Sequence, residues 1–171
     1  MQEAETELLE ALYAYVFDTI DADQPLTVAL LKEWHRKWLG NLYSWAGQER
    51  SVNLAKGEFQ FAAAHLIPAL LSQLERNQLA RLTPCSGMDH ETVAAAIAEV
   101  HVELILIHPF REGNGRIARL LADVMSAQAG LGPLDYTAWE QNKEEYFAAI
   151  QAGLDRNYEP MTGWVRRALD A

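Results

Sequence analysis

One stretch of this 171-residue chain gathers the residue types that group-transfer chemistry needs: His108-Pro-Phe-Arg-Glu-Gly-Asn-Gly-Arg-Ile-Ala-Arg119. Gly113 and Gly115 flank Asn114 in a loop that runs into a helix beginning near Gly115 or Arg116. Glycines there let consecutive backbone amides turn into one concavity, beside the positive end of the helix dipole, which suits an anion. Arg116 and Arg119 lie three apart, share one helix face and can clamp further phosphate oxygens. Glu112 supplies a hard carboxylate where a Mg²⁺ bridging two phosphates would take an oxygen ligand. His108, at the loop's entrance, can accept a proton near neutral pH. Base, carboxylate, nest and two guanidinia within one loop describe transfer of a phosphate-containing group onto a hydroxyl. Taken singly, each element also has an ordinary reading: a turn, a helix-start arginine paired with an acid such as Asp123, a structural histidine before proline.

The elements that must hold this loop read as helical almost throughout. Leu8, Leu9, Leu12, Tyr15, Val16 and Thr19 form one stripe in a helix over Glu7 to Ile20, broken by Asp21-Ala-Asp-Gln-Pro25. A second helix starts at Pro25-Leu-Thr27 and carries Val28, Leu31, Trp34, His35 and Trp38 to Gly40. Between Asn41 and Gly57 there is no sustained helical period; Ser51-Val-Asn-Leu54 and Glu58-Phe-Gln-Phe61 alternate as strands would, predicting a small hairpin around Lys56-Gly57. A helix over His65 to Leu79 with Pro68 in its first turn precedes a loop at Thr83 to Gly87. Asp89 or Ser86 then caps a long helix to Ile107, burying Val93, Ala96, Ile97, Val100, Leu104 and Ile107. His108 must leave that helix because Pro109 excludes it from the α region. Helices follow over Arg116 to Ala129, Tyr136 to Gly153 and Pro160 to Ala171.

Composition narrows the function class. Half of the residues are apolar and 22% charged, as in one globular domain, and the net charge is −10 with a pI near 4.9. Such a surface repels phosphate backbones and anionic lipid, which argues against general nucleic-acid binding and membrane attachment while leaving room for a locally basic nucleotide pocket. The single cysteine, Cys85, excludes an internal disulfide and a thiolate zinc cage. The start, Met1-Gln-Glu-Ala-Glu, lacks the pattern of a signal peptide, and no apolar run is long enough to span a membrane, so the expected location is cytoplasmic.

The segment His108 to Arg119 resembles the signature of the Fic (filamentation induced by cAMP) family, His-x-Phe-x-Asp/Glu-Gly-Asn-Gly-Arg-x-x-Arg, at every defining position. The likeness extends upstream through Asn41-Leu-Tyr-Ser-Trp-Ala-Gly47, Arg50-Ser-Val-Asn-Leu-Ala-Lys-Gly57 and Ile67-Pro68, and downstream through Glu144-Glu-Tyr-Phe-Ala-Ala-Ile150 and Asp155-Arg-Asn-Tyr-Glu-Pro-Met161. It covers roughly residues 25 to 165. The resemblance implies an all-α fold of about seven or eight helices with a β-hairpin flap. It divides the chain into an N-terminal helix over residues 1–24 with a regulatory role and a Fic domain over 25–171, together one compact domain.

The implied activity is transfer of AMP from ATP to a Tyr, Ser or Thr hydroxyl of a target protein. His108 would be the general base, and Glu112 would hold Mg²⁺. Gly113, Asn114 and Gly115 would form the nest, with the Asn114 side chain placing the α-phosphate, and Arg116 and Arg119 would bind the distal phosphates. Phe110 would anchor the loop in the core. Lys56, Gly57, Glu58, Phe59, Gln60 and Phe61 would form the flap that registers the target as an added strand. Phosphorylating relatives of the Doc type carry lysine at the second loop glycine, so Gly115 points away from that chemistry. Removal of AMP, phosphocholine transfer and a non-catalytic nucleotide-binding scaffold are the alternatives; retention of His108 favours the enzyme.

Many relatives carry an inhibitory helix, Ser/Thr-x-x-x-Glu-Gly/Asn, whose Glu pairs with the second motif arginine. Thr6-Glu-Leu-Leu-Glu10 has that spacing with Ala11 in place of Gly or Asn, which makes Glu10 the candidate; its ordinary reading is a solvated helix glutamate, and Glu3 and Glu5 fit less well. A separate antitoxin chain, self-inhibition from the N-terminus and a segment preceding Met1 all remain open, as do a homo-oligomer and translocation into another cell as an effector. Of the remaining residues, Trp34 and Trp38 are read as core, His101 as an ordinary helix residue and Cys85 as an unpaired thiol, while Tyr146 and Asn142 fall where an adenine pocket would close.

Overall fold

In the computed structural model, which describes residues 2–171, the chain wraps around α5 (His90–Ile107). This helix buries most of its circumference, as a helix at the centre of a bundle must: Val93, Ala94, Ile97, Ala98, Val100, Val102 and Leu104 are all buried, and one stripe with Thr92, Glu99 and Glu103 remains polar. Asp89 caps it by accepting from the Thr92 amide at 2.8 Å. Around it lie α1 (Gln2–Thr19), α2 (Val28–Leu39), α3 (Ile67–Leu74), which runs through a π-helical turn into α4 (Ala80–Leu82), α6 (Asn114–Gln128), α7 (Thr137–Gln141), α8 (Lys143–Ala152) and α9 (Glu159–Asp170). α6 and α9 pack most extensively on α5, and α2 rests on α6 while α1 covers α2. The architecture is all-α with one hairpin, β1 (Ala55–Lys56) and β2 (Phe59–Gln60), as expected. Among the described residues no helix is long and apolar enough to cross a membrane.

Several boundaries differ from the sequence reading for local reasons. α1 begins at Gln2 rather than Glu7, and its buried stripe is Glu5, Leu12 and Val16; Tyr15 lies 41% exposed, under the Lys37 ammonium at 4.2 Å. Ser51 to Leu54 forms no strand. The Val52 carbonyl is taken by Arg50 at 2.8 Å and the Asn53 side chain accepts from the Ala64 amide at 2.8 Å, so the ladder stops at the Ala55–Gln60 pair. The expected helix from Tyr136 to Gly153 breaks at Asn142 (φ −130°, ψ 53°), whose side chain donates to the Ala138 carbonyl at 2.8 Å.

Two polar links close the bundle near α1. Asp123, buried on α6, accepts from the hydroxyls of Tyr13 at 3.0 Å and Tyr136 at 3.1 Å and from the Leu134 amide at 3.0 Å. Gln128 at the end of α6 donates to the carbonyls of Asp21 and Gln24 in the α1–α2 turn. Cys85 is fully buried, and loss of water pushes its thiol up to about 11.

The tightest helix contact is at Gly153, after α8, where an added Cβ would overlap Val102 of α5. Gly153→Ala is expected to lower stability by about 1–3 kcal/mol. In a double-mutant cycle by urea unfolding, Val102→Ala should recover about 1 kcal/mol of that loss, and strict additivity would show that the two residues do not meet.

Candidate active site

The loop between α5 and α6 opens onto a cleft of about 600 Å³. Its floor is His108, Glu112 to Arg116 and Arg119; the Lys56 to Phe61 hairpin forms one wall and Tyr146, Phe147 and Ile150 of α8 form another. The loop closes on itself through Asn114. The carboxamide oxygen accepts from the Phe110 amide and its nitrogen donates to the Phe110 carbonyl, both at 2.8 Å. Phe110 is buried and stacks on His35 at 3.9 Å. The Gly47 amide donates to Nδ1 of His35 at 2.8 Å, which places the ring proton on Nε2, and that nitrogen donates to the Glu112 carbonyl at 2.9 Å. Burial holds the His35 pKa below its ordinary value, with the Arg116 charge acting in the same direction.

Gly113 has φ 85°, and an added Cβ would stand 2.5 Å from the Trp38 ring, so both conformation and contact demand glycine. This left-handed residue turns the chain into α6, whose first turn leaves the amides of Asn114, Gly115 and Arg116 outside the helix's own ladder. Gly115 differs: a Cβ there would meet nothing within 4 Å. These amides lie on the cleft floor, and the space in front of Gly115 is open.

His108 caps α5 in the left-handed region (φ 52°, ψ 61°), not the extended region its proline neighbour favours. Such a conformation in a non-glycine residue stores strain of order 1–3 kcal/mol. Its amide bonds to Leu104 at 2.9 Å, and its ring stacks on Phe61 at 3.8 Å. Nδ1 lies 3.1 Å from the Ile105 carbonyl and so carries the proton, leaving Nε2 with its lone pair. Burial, reinforced by the charges of Arg50 and Lys56, brings the His108 pKa down to about 4, so the ring is neutral near pH 7.

The motif arginines are already aimed by partners. Arg116 bonds the Glu5 carboxylate at 3.1 Å, lies 4.6 Å over the Trp38 ring and stands 4.0 Å from Glu112. Arg119 pairs with the exposed Glu140 at 3.0 Å, over Tyr136. Glu112 itself is largely exposed at the cleft. Among the described residues no cluster of three His, Cys, Asp or Glu forms a metal cage. A single exposed carboxylate at a cleft floor that also carries helix-start amides is nonetheless a donor that fits Mg²⁺, which takes its other ligands from phosphates and water.

The structure brings His108, Glu112, the glycines and both arginines to one cleft, and revises other assignments. The Asn114 side chain is spent on the loop, so this residue has only its backbone amide to offer a phosphate. Phe61 is no exposed flap residue; it is buried against His108, and Phe59 packs on Phe61 and Phe147. Lys56, Gly57, Glu58 and Gln60 do stand at the surface. Glu10 lines a groove beside Arg116 and Arg119 but forms no ion pair among the described residues; Glu5 makes the contact, and with the first motif arginine. Tyr146 lines the cleft and meets His101 at 2.5 Å, whereas Asn142 does not line it. His101 is fully buried and brought down to about 3, a packed core histidine. Sequence reasoning quoted Arg50 only as part of a family-like stretch and gave it no role, and it placed His35 on an apolar helix face without assigning it a partner. The one available signal for His35 was a polar ring between Trp34 and Trp38.

Against known proteins, the Fic/DOC family model matches residues 25–126. The chain is 28% identical over 98% of its length to protein adenylyltransferase VbhT of Bartonella schoenbuchensis, and 28% identical over 95% to protein adenylyltransferase Fic of Nematostella vectensis. It spans 35% and 37% of those two proteins, about a third of each. Its fold matches the BepC effector protein of Bartonella tribocorum, solved with AMPPNP, at a TM-score of 0.74 and 22% identity, over 98% of this chain and 85% of that one.

Glu5 offers a direct test of how Arg116 is held. The Tyr43 hydroxyl, donating at 2.8 Å, and the Arg116 guanidinium keep its carboxyl below the usual carboxylate range. A depressed carboxylate stabilises the fold above its unfolded pKa and loses that contribution as pH falls through the folded value. Glu5→Gln should therefore destabilise the protein by about 1–2 kcal/mol at pH 7, with the gap from the parent closing in acid, as read by urea melts at each pH. A gap that did not change with pH would mean that charge plays no part in the contact.

Proposed function

The chain belongs to the Fic/DOC family, and from that premise we propose that it transfers AMP from ATP to a Tyr, Ser or Thr hydroxyl of another protein. The observation that carries the reading is His108: a strained, neutral imidazole with Nε2 unprotonated, at the mouth of a cleft that also holds the amide nest and two arginines. Its relatives' names as protein adenylyltransferases point the same way.

In this reading the target hydroxyl donates its proton to Nε2 of His108 as its oxygen attacks the α-phosphorus, and the bond to the β-phosphate oxygen breaks to release pyrophosphate. The amides at the start of α6 receive the charge on the α-phosphate oxygens, and Arg116 and Arg119 receive the distal phosphates. Glu112 would hold Mg²⁺, which supplies charge neutralisation to the phosphates when bound. Arg119 exchanges Glu140 for phosphate readily, because an exposed pair contributes little. Arg116 keeps Glu5 as a strut, and that is the role we assign to residues 1–24. The exposed residues of the hairpin register the target backbone, while Phe61 fixes the base.

Intact-mass analysis of the protein and of a lysate after incubation with ATP and Mg²⁺ should show a gain of AMP, reduced at least about 100-fold by His108→Ala. Addition of phosphate alone, or labelling indifferent to His108→Ala, would defeat the proposal, and nucleotide binding without transfer would leave a binding scaffold.

The pH dependence follows from the depressed base. His108 is proton-free above about 4, so its limb of the rate profile should be flat from pH 6 to 8 and fall as pH drops through about 4. A limb near 6.5 would place the ring in water rather than against Phe61.

A further inference from the structure

Arg50 is 5% exposed and forms no ion pair among the described residues, an unusual position for a cation. Its guanidinium spends four hydrogen bonds on backbone carbonyls. Nε donates to His108 at 2.6 Å and Nη1 to Val52 at 2.8 Å, while Nη2 donates to Ala62 at 2.6 Å and to Ile107 at 3.1 Å. Its own amide donates to Pro109 at 2.9 Å. One side chain thus grips the strand-side residues before and after the hairpin and the last carbonyls of α5. The negative end of that helix compensates the buried charge, in place of a carboxylate.

We propose that Arg50 is a positioning residue for transfer: its fork sets the hairpin against His108 and holds the base in its left-handed conformation. The proposal rests on the adenylyl-transfer reading for its effect on rate. Two further links join the hairpin side to the end of α5, the Ala62 amide to Leu106 at 3.2 Å and Phe61 stacked on His108, while Lys56 lies over Phe147 of α8. Arg50 does not line the cleft, so nucleotide contacts do not depend on it. Lysine is no substitute, because a single ammonium cannot span four carbonyls in this geometry.

Arg50→Lys and Arg50→Gln separate the fork from the charge. Three readouts suffice: hydrogen exchange of the Ala55 to Gln60 amides, titration of His108 by NMR, and AMP transfer to lysate acceptors at saturating ATP, with AMPPNP affinity as control. The other charged groups about His108, namely Lys56 from the hairpin, Arg111 and Glu112 from the loop, and Arg116 and Arg119 from α6, stay unchanged, as does Tyr146 from α8. Arg50→Lys should speed hairpin exchange about tenfold, lower transfer about 100-fold and leave AMPPNP affinity within about twofold. Arg50→Gln should do the same and also move the His108 midpoint upward. A lower melting temperature in both variants, with exchange, titration and transfer as in the parent, would overturn the proposal by making Arg50 merely structural. Should Arg50→Gln not fold, Arg50→Lys alone decides through exchange and transfer. Failure of the parent to transfer AMP would sink the adenylyl-transfer reading while exchange and titration still decide whether Arg50 places the hairpin and the base.

Discussion

The paired hydrogen bonds between the Asn114 carboxamide and the Phe110 backbone are the constraint on which the site depends. They close a loop whose amides at the start of α6 lie outside the helix's own ladder and so do not brace it. The remaining supports arrive from α2: His35 stacks on Phe110 and bonds the Glu112 carbonyl, and Trp38 fills the space that a side chain on Gly113 would need. Two helices distant in sequence from the loop, α1 and α2, thus set its shape, and α1 reaches it through Glu5.

Electrostatically the cleft is an exception to its surroundings. The chain carries a net charge of −10, yet Lys56, Arg111, Arg116 and Arg119 face one space with Glu112 as their only acidic neighbour on its lining. Four cations on one lining thus stand against the acidic balance of the chain as a whole. The two arginines differ in their carboxylate partners: Glu5 is buried and also accepts from the Tyr43 hydroxyl, whereas Glu140 is exposed. A buried carboxylate holds its cation far more firmly than an exposed one.

The helices and the loop between α5 and α6 were legible because each has a local cause. Periodicity marks α5, Asp89 marks its start and Pro109 its end, and the loop's residue types are adjacent in sequence. What escaped depends on contacts between distant segments. Asn114 could aim at a phosphate or at Phe110, and only the folded loop decides between them. Glu5 and Glu10 occupy the same helix; which one meets Arg116 depends on how α1 lies across α2. Arg50 opens a stretch that resembles the family, but its role was illegible because its four partners are backbone carbonyls, which every residue possesses. The Ser51 to Leu54 alternation misled because the Val52 carbonyl goes to the nearby Arg50 guanidinium, and the Asn53 side chain accepts from the Ala64 amide.

The two loop glycines carry different obligations. Gly113 is bound to the architecture by its dihedral and by Trp38, so the fold itself polices that position. Gly115 answers to nothing but the empty space in front of it. A side chain introduced there would enter the cleft without disturbing the helices, altering how a ligand lies while the scaffold stays intact. Evolution acting on this loop thus has a position at which chemistry can diversify independently of foldability, next to one at which it cannot.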